Sequence, residues 1–329
     1  MCLYKHFTLL ERESLQVLLA KGIRVEDIAK ELRKDKSSIY REIKRNIDKN
    51  GYRPAIAELK YHTRRQKCKP KKKLKNKEIF NFCFDKLVNE NWSPEQISGR
   101  LKRENSSLQI SYPTIYRGIN NGLFDKEYAK EHIGSFKRIL RHKGKRIHRQ
   151  NINENRGKFE ISHHINERPI GCRNRTRIGH FECDTVVGKK GKSCLVTLVD
   201  RKSRYLIGGI AKKKDAINVN NTIINTTKKE KVISITPDRG KEFSKHKEIS
   251  KSLNDIKIYF PDPYSPWQRG TNENTNGLIR QYFPKGKDMD NITDECVEKI
   301  FLKINLRPRK CLGYKTPYEI YHKVLLHLA

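Results

Sequence analysis

The sequence predicts a multidomain chain: an all-α N-terminal part followed by an α/β part with a mixed five-stranded sheet. Three observations carry this. Apolar residues recur at helical spacing up to about residue 120, and from residue 178 they gather into short β-branched runs. The length of 329 residues calls for two or more domains. Lys and Arg number 72 against 37 acids, and the resulting charge of +35 calls for a polyanionic partner. Nucleic acid fits better than an anionic membrane, because no long basic helix shows a bulky apolar face.

Residues 8–45 read as three short helices. Thr8 and Glu11 make a capping box, and Leu9, Leu10, Val17, Leu18 and Leu19 supply an apolar face. Ile28, Ala29 and Leu32 mark a second helix after Gly22. A third, over 37–45, buries Ile39 and Ile43 and turns Ser38, Tyr40, Arg41, Lys44 and Arg45 outward. This is the pattern of a helix-turn-helix whose last helix enters the DNA major groove; a plain three-helix core with solvated charges is the alternative, and the basic excess favours DNA. Residues 64–77 hold nine Lys or Arg and no acid, as a phosphate-tracking linker would.

A partial repeat follows. Ile115, Tyr116, Arg117 and Ile119 echo Ile39, Tyr40, Arg41 and Ile43, and Ile97 and Leu101 echo Ile28 and Leu32. Ser93, Pro94 and Gln96 supply a cap, a first-turn proline and a capping-box partner. The expected organisation is a first helix-turn-helix at 1–60, a basic linker at 61–77, a second unit at 78–136 with Arg117 as its DNA contact, and a basic and polar linker at 137–174. An α/β domain with a helical tail occupies 175–329.

In that domain, 178–187, 193–199 and 205–210 read as three antiparallel strands joined by turns. A helix over 215–229, a strand over 232–236, a further helix and a strand over 256–260 follow. This order suits an RNase H-like sheet. If the first and fourth strands are neighbours, Asp184 and Asp238 face each other. Pro261, Pro263 and Pro266 keep the next stretch from being helical, and a helix then starts near Gly270 and carries Glu273. Arg280, seven residues on, returns to the face of Glu273. Three convergent carboxylates are what two hard divalent cations need, as in in-line phosphoryl transfer. Each also has a plain structural alternative: turn residue, solvent-facing strand residue or helix-start acid.

At these residues the chain resembles an insertion-sequence transposase of the DDE class, of the IS-thirty type, whose catalytic core is RNase H-like (integrase-type). The matching stretches are GHFECDTVVG at 179–188, TPDRGKEF at 236–243, PDPYSPWQRGTNENTNGLIRQYFPKG at 261–286, and 307–319. The resemblance implies that Asp184, Asp238 and Glu273 are catalytic and hold two Mg2+ or Mn2+ ions, and that Arg280 contacts DNA. It further implies binding of terminal inverted repeats, metal-dependent strand cleavage, strand transfer into target DNA, and action as a homo-oligomer.

The chain departs from the family pattern at Phe181, Cys183 and Arg239. A guanidinium beside a metal-binding carboxylate either weakens the ion or holds a DNA phosphate. Arg239 therefore favours the alternative of a catalytically inactive or domesticated DNA-binding regulator. Among other residues, Glu182 shares the strand face of Asp184, Asp200 suits a turn, Glu242 suits pairing with a cation, and Trp267 is expected to anchor the proline-rich loop in a core. The eight cysteines form no C-x-x-C pair, which argues against structural zinc and for reduced thiols. No signal peptide or membrane-length apolar run is read, so a cytoplasmic, nucleoid-associated bacterial protein is expected.

Overall fold

The computed structural model describes residues 6–68, 72–141, 160–189, 191–263 and 265–327. The chain divides into two compact units, Met1–Lys72 and Lys73–Ala329.

The first unit has four helices: α1 (Leu9–Ala20), α2 (Val25–Glu31), α3 (Lys36–Asn46) and α4 (Pro54–Cys68). The Thr8–Glu11 capping box forms as the sequence indicates. Leu15, Leu18, Ile28, Ala29, Ile39 and Ala57 make the core. A charged hub lies inside it. Arg12, 1% exposed, donates from Nε to Glu42 Oε1 at 2.7 Å and pairs with Glu58. This ties α1 to α3 and α4, and Tyr52 adds a hydroxyl on Glu42 at 3.2 Å. Residues 61–68, read from sequence as the start of a linker, complete α4; residues 69–71 lie outside the described residues.

The second unit begins with α5 (Lys77–Val88), α6 (Pro94–Arg103), α7 (Tyr112–Asn120) and α8 (Asp125–Tyr128). Cys83, Leu87, Trp92, Ile97, Leu101, Ile115 and Ile119 pack together with Phe124 and Phe136. Most of the expected basic connector after residue 141 lies outside the described residues. The sheet comprises β1 (His163–His164), β2 (His180–Val187), β3 (Cys194–Asp200), β4 (Leu206–Ala211), β5 (Ser234–Thr236) and β6 (Lys257–Phe260). Its spatial order is β1-β6-β5-β2-β3-β4. β2, β3 and β4 are antiparallel, while β5 runs parallel to β2 and β6 parallel to β5. The sheet thus has six strands where five were expected. The extra one is the two-residue edge strand β1, parallel to β6 and drawn from the polar segment before the first expected strand.

Helices cover both faces. A short α9 (Ile170–Arg173) precedes β2; α10 (Ala216–Thr227) and α11 (His246–Ser252) lie among the parallel strands in sequence. They pack Val219, Ile223 and Ile249 on Phe181, Cys183, Val196 and Leu198. The other face takes α12 (Gly270–Ile279) and α13 (Asp294–Asn305), with Leu278, Ile279, Val297 and Phe301 against Val186, Leu195 and Val199. Strand side chains alternate faces, so Cys183 belongs to the first core and Asp184 turns toward α12. The chain closes with α14 (Pro317–His322).

Within this second unit, α6 docks on the C-terminal segment. Arg100, 1% exposed, makes two bonds to Glu319, at 2.7 and 3.0 Å, and also pairs with Glu104. Gly99 lies directly under the Tyr314 ring, where a Cβ would overlap ring atoms.

Candidate active site

The strand register brings two of the three predicted carboxylates side by side. β2 and β5 run parallel with Glu182 opposite Thr236. Asp184 and Asp238 each lie two residues further on, at the same end of neighbouring strands. Arg269 spans them, with Nη1 3.8 Å from Asp184 Oδ2 and Nη2 3.9 Å from Asp238 Oδ2. Asp184 accepts from Asn276 Nδ2 of α12 at 3.0 Å and from the backbone N–H of Thr185 at 2.8 Å. Asp238 accepts from the backbone N–H of Gly240 at 2.8 Å. Burial raises the Asp184 carboxyl to about 6; Arg269 opposes the rise and the Asp238 charge adds to it.

Glu273 stands apart from this pair. It is exposed on α12, one turn before Asn276, which touches Asp184. Among the described residues, no group of three or more His, Cys, Asp or Glu could hold a metal ion. Arg280, expected on the Glu273 face, caps α12 and donates to the carbonyl of Val187 at 2.7 Å.

Supporting residues hold α12 over the pair. Glu182, 0% exposed, pairs with Arg201 and accepts from the backbone N–H of Asn272 at 3.1 Å. This fixes the first turn of α12 to the strand that carries Asp184. Glu242 takes Lys214 at 2.9 Å and the Thr185 hydroxyl at 3.0 Å. Asp200 is structural, accepting from the backbone N–H groups of Gly179 and Ser203. His180 is packed and bonded to Ser234 at 2.8 Å.

Arg239 turns away from Asp238 and donates to the carbonyl of Pro261 at 2.7 Å. The guanidinium between the aspartates is that of Arg269, which sequence reasoning passed over. Its only signal was its place in the same polar stretch, four residues before Glu273. The expectation for Trp267 is corrected: its side chain is 73% exposed, because the proline-rich stretch reaches α12 by a single 3-10 turn (Pro266–Arg269) that leaves the indole in solvent.

On α3 of the first unit, Tyr40, Arg41, Lys44 and Arg45 are exposed and Ser38 is half-buried. Arg117 is exposed on α7. Among the described residues no helix is long and apolar enough to cross a membrane.

Comparison with known proteins agrees with these features. Residues 4–46 match the family model described as a helix-turn-helix domain. The transposase for insertion sequence element IS4351 of Bacteroides fragilis is 38% identical over 327 residues, covering 98% of this chain and 97% of that protein. Transposase InsI for insertion sequence element IS30A of Escherichia coli (strain K12) is 38% identical over 323 residues, covering 96% and 83%. Among solved structures, the catalytic core domain of BIV integrase is similar at 21% identity and a TM-score of 0.35, over 44% of this chain and 94% of that one. With relatives this similar over nearly its whole length, the chain belongs to the IS30 family of insertion-sequence transposases.

Proposed function

We propose that this transposase cleaves and joins DNA at Asp184, Asp238 and Glu273, using two divalent ions, Mg2+ or Mn2+. The observation that carries the reading is the pair of aspartates abreast on β2 and β5 with one cationic group spanning both. Burial raises the Asp184 carboxyl and the Asp238 charge adds to the rise, so a cation between the two stabilises the ionised pair. The donors are hard oxygens, which suits Mg2+ or Mn2+. Such ions, when bound, would supply an activated water or 3′-hydroxyl and would stabilise the leaving oxygen.

The chain's own residues prepare this arrangement. Asn276 orients Asp184, the Gly240 amide orients Asp238, and Glu182 pins the start of α12. Glu273 is exposed on α12 and would supply the third ligand when ions take the place of Arg269. The substrates are double-stranded element ends and target DNA. Element ends are read through the terminal repeats by groups such as Ser38, Tyr40, Arg41, Lys44, Arg45 and Arg117; Arg280 sits close to the scissile strand. Subunits act as a homo-oligomer, in the cytoplasm and on the nucleoid of a bacterium.

The test is Mg2+-dependent nicking of duplex DNA carrying the repeat that borders the gene. Asp184→Asn, Asp238→Asn and Glu273→Gln should each fall to background while binding that duplex as tightly as the parent. Nicking retained in any one variant would remove that residue from the site.

A further inference from the structure

Several buried cations meet carboxylates: Arg12 meets Glu42, Arg100 meets Glu319 and Arg201 meets Glu182. Arg168 does not, since its Nε and Nη2 are buried without a partner, and in one region such cations gather. Between α6–α7 and the C-terminal part of the second unit lies a cleft of about 850 Å³, lined by Arg141, Arg307, Arg309 and Lys310. A smaller cavity of about 320 Å³ shares Asn274, Arg309 and Cys311 with it and adds Arg175 and Arg204. Among the described residues six cations therefore border the two spaces, against one carboxylate, Glu95, which accepts from the Tyr116 hydroxyl at 2.8 Å.

The partners these cations do have are neutral. Arg307 is 4% exposed and donates to Gln96 Oε1 at 2.8 Å and Gln281 Oε1 at 2.7 Å. Arg309 donates from Nη2 to the carbonyl of Ile304 at 3.0 Å, while its Nε is buried without a partner. Arg204 bonds the Thr271 hydroxyl, and Arg141 lies over Gly277 of α12. Burial and the neighbouring guanidinium of Arg307 push Arg309 down to about 9. Holding buried like charges without a counter-ion is costly, and an anionic ligand relieves that cost. Both cavities run along one face of α12, and Asn274, which lines both, follows Glu273 in sequence.

We propose that this double cleft is a phosphate track for DNA: it holds the backbone of the strand that leads to the scissile phosphodiester. The proposal deepens the function above by assigning a strand path, and it needs only that DNA be the ligand. Arginine suits the role because its planar fork matches phosphate oxygens and stays charged when buried.

Cys311, exposed and lining both cavities, provides the test. In the full chain with Cys2, Cys68 and Cys296 changed to Ser, Cys311 is reacted with bordering-repeat duplexes that carry an activated disulfide tether on one phosphate at a time, so that exchange releases the tether's leaving thiol. Disulfide capture should be confined to a few phosphates next to the nick and should vanish in Cys311→Ser. In parallel, Arg141→Gln and Arg309→Gln should each lower the slope of log affinity against log salt by about 0.9 per lost phosphate contact. Melting curves report whether each variant is folded; if Arg309→Gln is not, Arg141→Gln and the capture pattern decide. A bound and nicked duplex with no capture at Cys311, or an unchanged slope in folded Arg141→Gln, would overturn the track and leave the catalytic reading standing. Captured DNA that is never nicked would do the reverse.

Discussion

The helix-turn-helix that opens the chain and the helices α6 and α7 share a register but not a fate. Ile97 and Leu101 of α6 stand where Ile28 and Leu32 of α2 stand, and these positions serve the cores of both units. The positions between them diverge. Lys30 and Glu31 of α2 are exposed, whereas their counterparts Gly99 and Arg100 lie against Tyr314 and Glu319. In the last helices, Tyr40 is 50% exposed, while Tyr116 is bonded to Glu95 and lines the basic cleft. A repeat thus preserves what packs inward and leaves the outer face free. In the first unit that face is exposed; in α6 it meets Tyr314 and Glu319 of the C-terminal segment, forming a joint.

The joint can be broken at Arg100. Removing one partner of a buried ion pair costs about 3–5 kcal/mol, because the stranded carboxylates stay buried. Arg100→Ala should destabilise the second unit by that amount and expose the segment 306–327 to protease. Arg12→Ala removes an equally buried cation, but its partners Glu42 and Glu58 lie within the first unit. Its loss, of similar size, should appear only in the amide exchange of α1, α3 and α4. If Arg12→Ala also exposed 306–327, the contrast between the two units would fail.

The contrast also shows which features a sequence can reveal. Asp184 and Asp238 were legible because strand order and alternation follow from local pattern, and two adjacent parallel strands bring equivalent positions level. The core leucines and isoleucines of both units were legible for the same reason. Arg12 and Arg100 were not, since a charged residue on a short helix reads as solvent-facing until its partner is known, and Glu319 is 219 residues from Arg100. The end of α4 was hidden by its run of cations, which suggests a linker until Ala57 is seen to seat the helix in the core. β1 is only two residues long, too short to show a period. Trp267 misled because large aromatics usually bury area, yet on its 3-10 turn the side chain is exposed. Glu273 was placed on the right helix, while its exposure there and the guanidinium of Arg269 between the aspartates appear only in the folded chain.

The joint has an acid limit. Burial raises the Glu319 carboxyl, but the Arg100 bonds and the backbone N–H groups of Thr316 and Leu326 outweigh this and hold it at about 2, below the usual 4.5. Because the folded value is depressed, the folded state binds fewer protons than the unfolded chain between these values. The stabilisation is therefore complete above about pH 4.5 and is lost as pH falls toward about 2. Its size is about 3 kcal/mol. Urea melts of the second unit across this window should show the loss. Glu319→Gln should start less stable at pH 7 and change less on acidification. Equal pH dependence in the two proteins would place the acid sensitivity elsewhere.

A finer test is steric. Position 30 tolerates a long side chain because the Lys30 side chain is 80% exposed, whereas a Cβ at 99 meets the Tyr314 ring. Gly99→Ala should cost about 1–3 kcal/mol as the ring is forced aside, against a gain of no more than about 1 kcal/mol from better helix propensity. The steric term wins, so the net effect is destabilising, and it should be felt in the second unit alone. Lys30→Ala, at the matching position of α2, should leave stability within about 0.5 kcal/mol of the parent. Adding Tyr314→Ala to Gly99→Ala should recover part of the loss, because the two side chains would no longer compete for one space. A Gly99→Ala variant as stable as the parent would mean that the ring yields freely, and that the Arg100 cluster alone carries the joint.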